Sequence, residues 1–153
     1  MTAIIDYQLA SDFSPVPTEQ DIQVWADAVL THQALAEQEF TVRIVNTDEG
    51  QTLNREYRQK DYATNVLSFP FEAPPGVELN FLGDLVVCAE VVAKEAAEQH
   101  KAPMHHWAHM IIHGLLHLLG YDHIESEEAE EMEAIEVFIL KQLGIDDPYQ
   151  DSQ

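Results

Sequence analysis

The sequence predicts an α+β (mixed α/β) fold: one domain over residues 1–153, with a small, roughly four-stranded mixed sheet packed by about five helices. Three observations predict it. The chain has 153 residues and is 46% hydrophobic, enough for one sizeable core. Short runs rich in β-branched and aromatic residues are set between longer segments whose apolar residues recur every three to four positions. The last of these segments run consecutively, so helices follow a small sheet. No internal repeat or low-complexity linker divides the chain.

The elements follow in order. Residues 3–9 (Ala-Ile-Ile-Asp-Tyr-Gln-Leu) read as a first strand. Ser11 to Pro17, with two prolines, is a loop. Thr18 caps a helix to about Ala36, with Ile22, Trp25 and Val29 on one face. Residues 40–46 alternate as a second strand, and Asp48 is positioned to cap a short helix through Gln59. Residues 65–71 read as a third strand, which Pro70 confines to an edge because it cannot donate a ladder bond. Glu72 to Asn80 is a loop, and residues 81–88 are a fourth strand, buried on both faces near its end. A helix follows from about Glu90 to His100. Pro103 suits the first turn of a long apolar helix to about Leu119. Ser126 caps a last helix to about Leu143, with Met132, Ile135, Ile139 and Leu143 inward and its glutamates on a solvated face. Gly144 ends it, and an acidic tail fills about 144–153.

Composition bounds the function. No apolar run approaches the roughly 18–20 residues that span a bilayer. The N-terminus lacks a basic, signal-like start, and Cys88 is the single cysteine, so the expected location is the cytoplasm. The 28 acidic side chains against 7 basic ones give a formal charge of −21, which by itself opposes a polyanionic partner. Four of the seven cations, Arg43, Arg55, Arg58 and Lys60, nevertheless lie within 18 residues.

The stretch His113-Gly114-Leu115-Leu116-His117-Leu118-Leu119-Gly120-Tyr121-Asp122-His123 carries the chemistry. Residues four apart on a helix share a face, with Cβ atoms about 5–6 Å apart, so His113 and His117 can bind one metal ion. Gly120 suits the left-handed residue that ends a helix, which lets the chain return and bring His123 over the pair. Three neutral ligands with an open fourth position is the pattern of a catalytic zinc. Gly114 stands where a His-Glu-x-x-His protease has its general base, which argues against a peptidase. His109 makes a rival pair with His113, assists from the next turn, or merely packs; His32, His100, His105 and His106 are expected at the surface. Asp84, in an apolar strand, is positioned to pair with an arginine, orient a ligand histidine or cap a turn. Asp122, beside His123, is positioned for outer-sphere support, or is simply exposed. A guanidinium in the 53–60 segment can grip phosphate oxygens bidentately, although composition alone favours Arg58 and Lys60 as solvated ends of a helix.

The motif from His113 to His123 resembles that of the YbeY family, bacterial endoribonucleases of ribosomal RNA maturation. Leu53-Asn54 through Tyr57-Arg58, Asp61, Thr64-Asn65-Val66-Leu67-Ser68-Phe69-Pro70, and Leu82-Gly83-Asp84-Leu85-Val86 resemble that family as well. The resemblance implies a single-domain cytoplasmic metalloprotein that holds one Zn(2+) through His113, His117 and His123. It implies cleavage of single-stranded RNA in maturation of the 16S ribosomal RNA 3′ end and in ribosome quality control, with the functional arginine at Arg58. It also implies association with the ribosome, a small-subunit protein and a ribosome-assembly GTPase; neither a membrane nor DNA is an expected partner. The expected activity is therefore a metal-dependent endoribonuclease, with water or an RNA 2′-hydroxyl as nucleophile. The alternatives are a ribosome-assembly factor whose zinc is mainly structural, and a metal-dependent hydrolase of another substrate.

Overall fold

The strands order themselves as β1-β2-β4-β3 in one sheet, described here from a computed structural model for residues 2–76, 80–122 and 125–149. β1 (Ala3–Ala10) and β2 (Gln38–Val45) pair in parallel, and β2 pairs in parallel with β4 (Phe81–Cys88). β3 (Val66–Pro70) pairs antiparallel with β4 at the edge, where its proline is tolerated. The helices are α1 (Glu19–His32), α2 (Thr47–Arg58), α3 (Ala89–Glu98), α4 (Pro103–Leu118) and α5 (Ser126–Gln142). The predicted mixed sheet and five helices are thus observed among the described residues. None of those helices is long and apolar enough to cross a membrane.

Alternation along the strands makes two cores. Phe40, Val42, Ile44, Leu85 and Val87 face one way and join Trp107, Ile111, Leu115, Met132 and Ile139. Val45, Val86 and Cys88 face the other way, with Leu53 of α2 and Val91 of α3. The first cluster is the larger, and α4 lies in its middle: Trp107, Ala108, Ile111, Ile112, Leu115 and Leu116 are all at most 1% exposed.

Gly114 explains how closely α4 lies on the sheet. A Cβ at that position would stand 2.8 Å from Leu85 Cδ2 and 3.3 Å from Val66 Cγ2. Where a protease would carry its glutamate, this helix presses its backbone onto β3 and β4. The Gly114 carbonyl also receives Ser68 Oγ at 3.3 Å.

Several boundaries shift from the sequence expectation. α1 stops at His32 because Ala34 turns left-handed, at φ 53°. The cap of α2 is Asn46, not Asp48, and its side chain serves the neighbouring loop by accepting from Ser11 Oγ at 2.5 Å. The residue capping α5 is Glu125, one before Ser126. Thr18 does cap α1, in a reciprocal box with Asp21.

Candidate metal centre

Histidines 105, 109, 113 and 117 stand one per turn along α4 and form a single stripe. Burial divides it. His105 is exposed, His109 is 6% exposed, and His113 and His117 are half-buried in the wall of a cleft of about 730 Å³.

The Nε2 atoms of His113 and His117 face each other at 3.1 Å. Their opposite nitrogens are committed elsewhere. His113 Nδ1 lies 2.7 Å from Glu136 Oε2, and His117 Nδ1 lies 3.0 Å from the Tyr121 carbonyl. A carboxylate and a carbonyl only accept, so in the neutral rings both Nδ1 atoms carry the proton. Each Nε2 then turns a lone pair toward the other. Two lone pairs so placed repel, and a cation that takes both removes the repulsion. Two nitrogens on a tetrahedral zinc, with bonds of about 2.0–2.1 Å, stand about 3.3 Å apart. The donors present fit a divalent ion.

The turn after α4 builds half of this arrangement. Gly120 adopts φ +103°. Its N–H donates to the His117 carbonyl at 3.0 Å, and the Tyr121 N–H donates to the Leu116 carbonyl at 3.0 Å. This pair of bonds is the Schellman closure of a helix. It aims the Tyr121 carbonyl back at His117, so the glycine exit also fixes the ring that precedes it.

Glu136 builds the other half. It projects from α5 with no exposed surface. Its Oε1 accepts from His109 Nε2 at 2.7 Å and from the Tyr149 hydroxyl, and its Oε2 accepts from His113 Nδ1. Burial alone would raise this carboxyl, but the bonds from His109 and His113 outweigh it and hold it down to about 2. Burial pushes the His109 imidazole below its usual range despite the carboxylate beside it. Burial, then the Glu136 carboxylate, pushes the Tyr149 phenol well above its own. His109, His113 and Glu136 also form a group able to hold a metal ion, with ligand atoms within 4.8 Å of one another. His113 therefore belongs to two donor sets through opposite nitrogens. The Glu136 set is buried beneath the cleft wall and already hydrogen-bonded internally. The His117 set opens to the cleft.

Arg58 stands in the lining of the same cleft, with Thr64, Asn65, Ser68, Gly120, Tyr121 and Asp122. Asn54 explains part of this placement. It is wholly buried in α2, and its Nδ2 donates to the Tyr62 carbonyl at 2.7 Å, which ties the loop after α2 back onto the helix bearing Arg58. Asn65 is held by Glu95, which accepts from its Nδ2 at 3.1 and 3.2 Å.

Arg58, His113, His117 and Asp122 are thus brought to one cleft, and His109 stands behind it. Asp84 is not there. It lines a groove with Arg43, Glu49 and Tyr57, on the opposite strand parity from Leu85, so it orients no described histidine. His123 lies outside the described residues. Two expectations are corrected. His106 is 3% exposed, not a surface residue, and its Nε2 meets Glu95 Oε1 at 2.9 Å. Glu136 is no part of a solvated glutamate face. Its spacing from Met132 and Ile139 was the signal for that, since it falls inside the apolar stripe of α5. The cationic cluster is also divided: Arg43 pairs with Glu49 at 2.6 Å and Arg55 with Asp61 at 3.5 Å, while Arg58 lines the cleft.

The family model described as Endoribonuclease YbeY matches residues 6–144. A protein named Endoribonuclease YbeY from Alteromonas mediterranea is 56% identical, over 97% of this chain and 98% of its own. Proteins of the same name from Cellvibrio japonicus and Colwellia psychrerythraea are 57% and 52% identical, each over 97% of this chain. A Thermotoga maritima protein solved in solution shares the fold at a TM-score of 0.60, with 22% identity and 92% of each chain covered. The matched span takes in both walls of the cleft, from α2 with Arg58 to α4 with its paired histidines, and on this evidence the chain belongs to the endoribonuclease YbeY family.

Proposed function

We propose that this chain is a zinc-dependent endoribonuclease that cuts single-stranded RNA in the cytoplasm, in maturation of the 16S ribosomal RNA 3′ end and in ribosome quality control. The observation that carries the reading is the pair of Nε2 atoms facing each other at 3.1 Å in a cleft that also holds Arg58. The family name supports the substrate class. His113, His117 and His123 would hold the ion. When bound, zinc supplies Lewis-acid charge and lowers the pKa of a coordinated water toward about 7.

This chain's residues do the rest. The Nδ1 protons of His113 and His117 are engaged by Glu136 and Tyr121, so their task is to hold the ion rather than shuttle protons. Arg58 offers its forked N–H groups to two non-bridging phosphate oxygens and stabilises the charge that grows on them as phosphorus is attacked. Thr64, Asn65 and Ser68 give the cleft a polar rim for a strand of RNA. Partners proposed from the family are the ribosome, a small-subunit protein and an assembly GTPase.

The test is cleavage of a defined single-stranded RNA by wild type, Arg58→Ala and His117→Ala. Arg58→Ala is expected to keep its metal and lose roughly 10²–10³ in rate. His117→Ala is expected to lose both metal and cleavage. Undiminished cleavage by either would overturn the reading. The ends of the product identify the nucleophile: a 2′,3′-cyclic phosphate means attack by the 2′-hydroxyl. The charge of −21 favours one second reading, an assembly factor with a mainly structural ion. It would be supported if Arg58→Ala still restored ribosome assembly while failing to cut purified RNA.

A further inference from the structure

We infer that Glu136 is the positioning residue of the metal centre, and that Tyr149, from the segment after α5, holds Glu136 in place. The inference rests on the proposal that His113 is a metal ligand. A neutral imidazole in water favours the proton on Nε2, the atom that His113 must leave bare to bind an ion in the cleft. Glu136 reverses that preference. Its Oε2 lies 2.7 Å from His113 Nδ1, and a carboxylate at that place accepts only. The proton is held on Nδ1, and Nε2 presents its lone pair to His117. A ligand histidine with its other nitrogen on a carboxylate is oriented and made more basic.

Glu136 is itself fixed from two sides. His109 Nε2 lies 2.7 Å from Oε1, and the Tyr149 hydroxyl donates to the same oxygen while standing 3.1 Å from His109 Nε2. Tyr149 is 45% exposed, yet its hydroxyl reaches a carboxylate with no exposed surface. Two further contacts hold the segment that delivers it. Lys101 Nζ donates to the Pro148 carbonyl at 2.9 Å, and Ile145 packs against the main core. A line of contacts therefore runs from Lys101 through Pro148, Tyr149 and Glu136 to His113. Residues 145–149, remote from the histidine motif in sequence, belong to the metal centre.

The test has two readouts that do not depend on activity. The first is the His113 tautomer in metal-free protein, from long-range proton–nitrogen correlations of the imidazoles. The second is zinc affinity, by competition with a chromogenic chelator. Wild type is expected to show His113 protonated at Nδ1. Glu136→Ala is expected to move the proton to Nε2 and to weaken zinc binding about 10–100-fold. Tyr149→Phe, which removes one hydroxyl and keeps the ring, is expected to weaken it in the same direction by less. Val29→Ala, a core change on α1, lowers stability and should leave both readouts unmoved. Zinc binding and a tautomer unchanged in Glu136→Ala and in Tyr149→Phe would overturn the inference and leave the metal reading intact. A wild type that binds no zinc would overturn both.

Discussion

Glu136 is where a single residue does most to decide the behaviour of the site. Its carboxyl sits at about 2 in the fold, against 4.5 for an ordinary glutamate. A depressed acid stabilises the fold at pH above its unfolded value and loses that contribution as pH falls through the folded one. Metal-free protein should therefore lose on the order of 3 kcal/mol between about pH 4.5 and 2. Glu136→Gln should lack that step, as measured by urea denaturation across the range; an identical pH profile in both proteins would contradict the assignment. The sequence hid this residue among the glutamates of α5. Charge suggested a solvated face, while periodicity put it between Met132 and Ile139 on the buried one. Periodicity was the better guide, because a buried carboxylate is permitted when donors surround it. His106 is buried for the same reason: Glu95 meets its Nε2 at 2.9 Å, a partner on another helix that composition does not reveal. Asp84 was legible by parity, since in a strand with Leu85 and Val87 facing α4, residue 84 must face away.

At the scale of elements, α4 is defined by its two glycines. Gly114 lets the helix lie against β3 and β4. Gly114→Ala would bring a methyl within 2.8 Å of Leu85 and should cost about 1–3 kcal/mol; thermal or denaturant unfolding measures it. Gly120, at φ +103° with open space around it, is constrained by backbone and not by neighbours. Gly120→Ala should cost about 1–2 kcal/mol. Because the turn supplies the carbonyl that holds His117, zinc affinity should fall as well. A stability loss with unchanged affinity would separate the turn from the site. The strands and helices themselves were largely readable. β4 was bounded at both ends by sequence alone, and β3 was placed at an edge by Pro70. What was not readable was local closure: Ala34 takes a left-handed conformation that its own chemistry does not favour, so α1 ends earlier than its apolar period.

The whole molecule sets a problem of charge. A chain at −21 repels RNA at long range, and two of the four clustered cations are already paired with Glu49 and Asp61. Salt shortens that repulsion, from a screening length of about 30 Å at 0.01 M to about 8 Å at 0.15 M. Cleavage of free RNA should therefore quicken or hold steady as salt rises through that range. A steep fall in kcat/KM would instead mark a protein that grips phosphates with many cations. The fold class and the pairing of His113 with His117 were legible because both rest on period and spacing. The shape of the cleft was not, because it depends on α2, β3 and the turn after α4 meeting in space.

On the proposed function the ion is held on the cleft side of His113, with His117, and not in the buried group with His109 and Glu136. Metal content of His117→Ala and His109→Ala, measured after dialysis against wild type, tests it directly. About one zinc per chain is expected in wild type, none in His117→Ala, and zinc still bound, more weakly, in His109→Ala. Zinc retained without His117 and lost without His109 would contradict it and move the ion into the buried group.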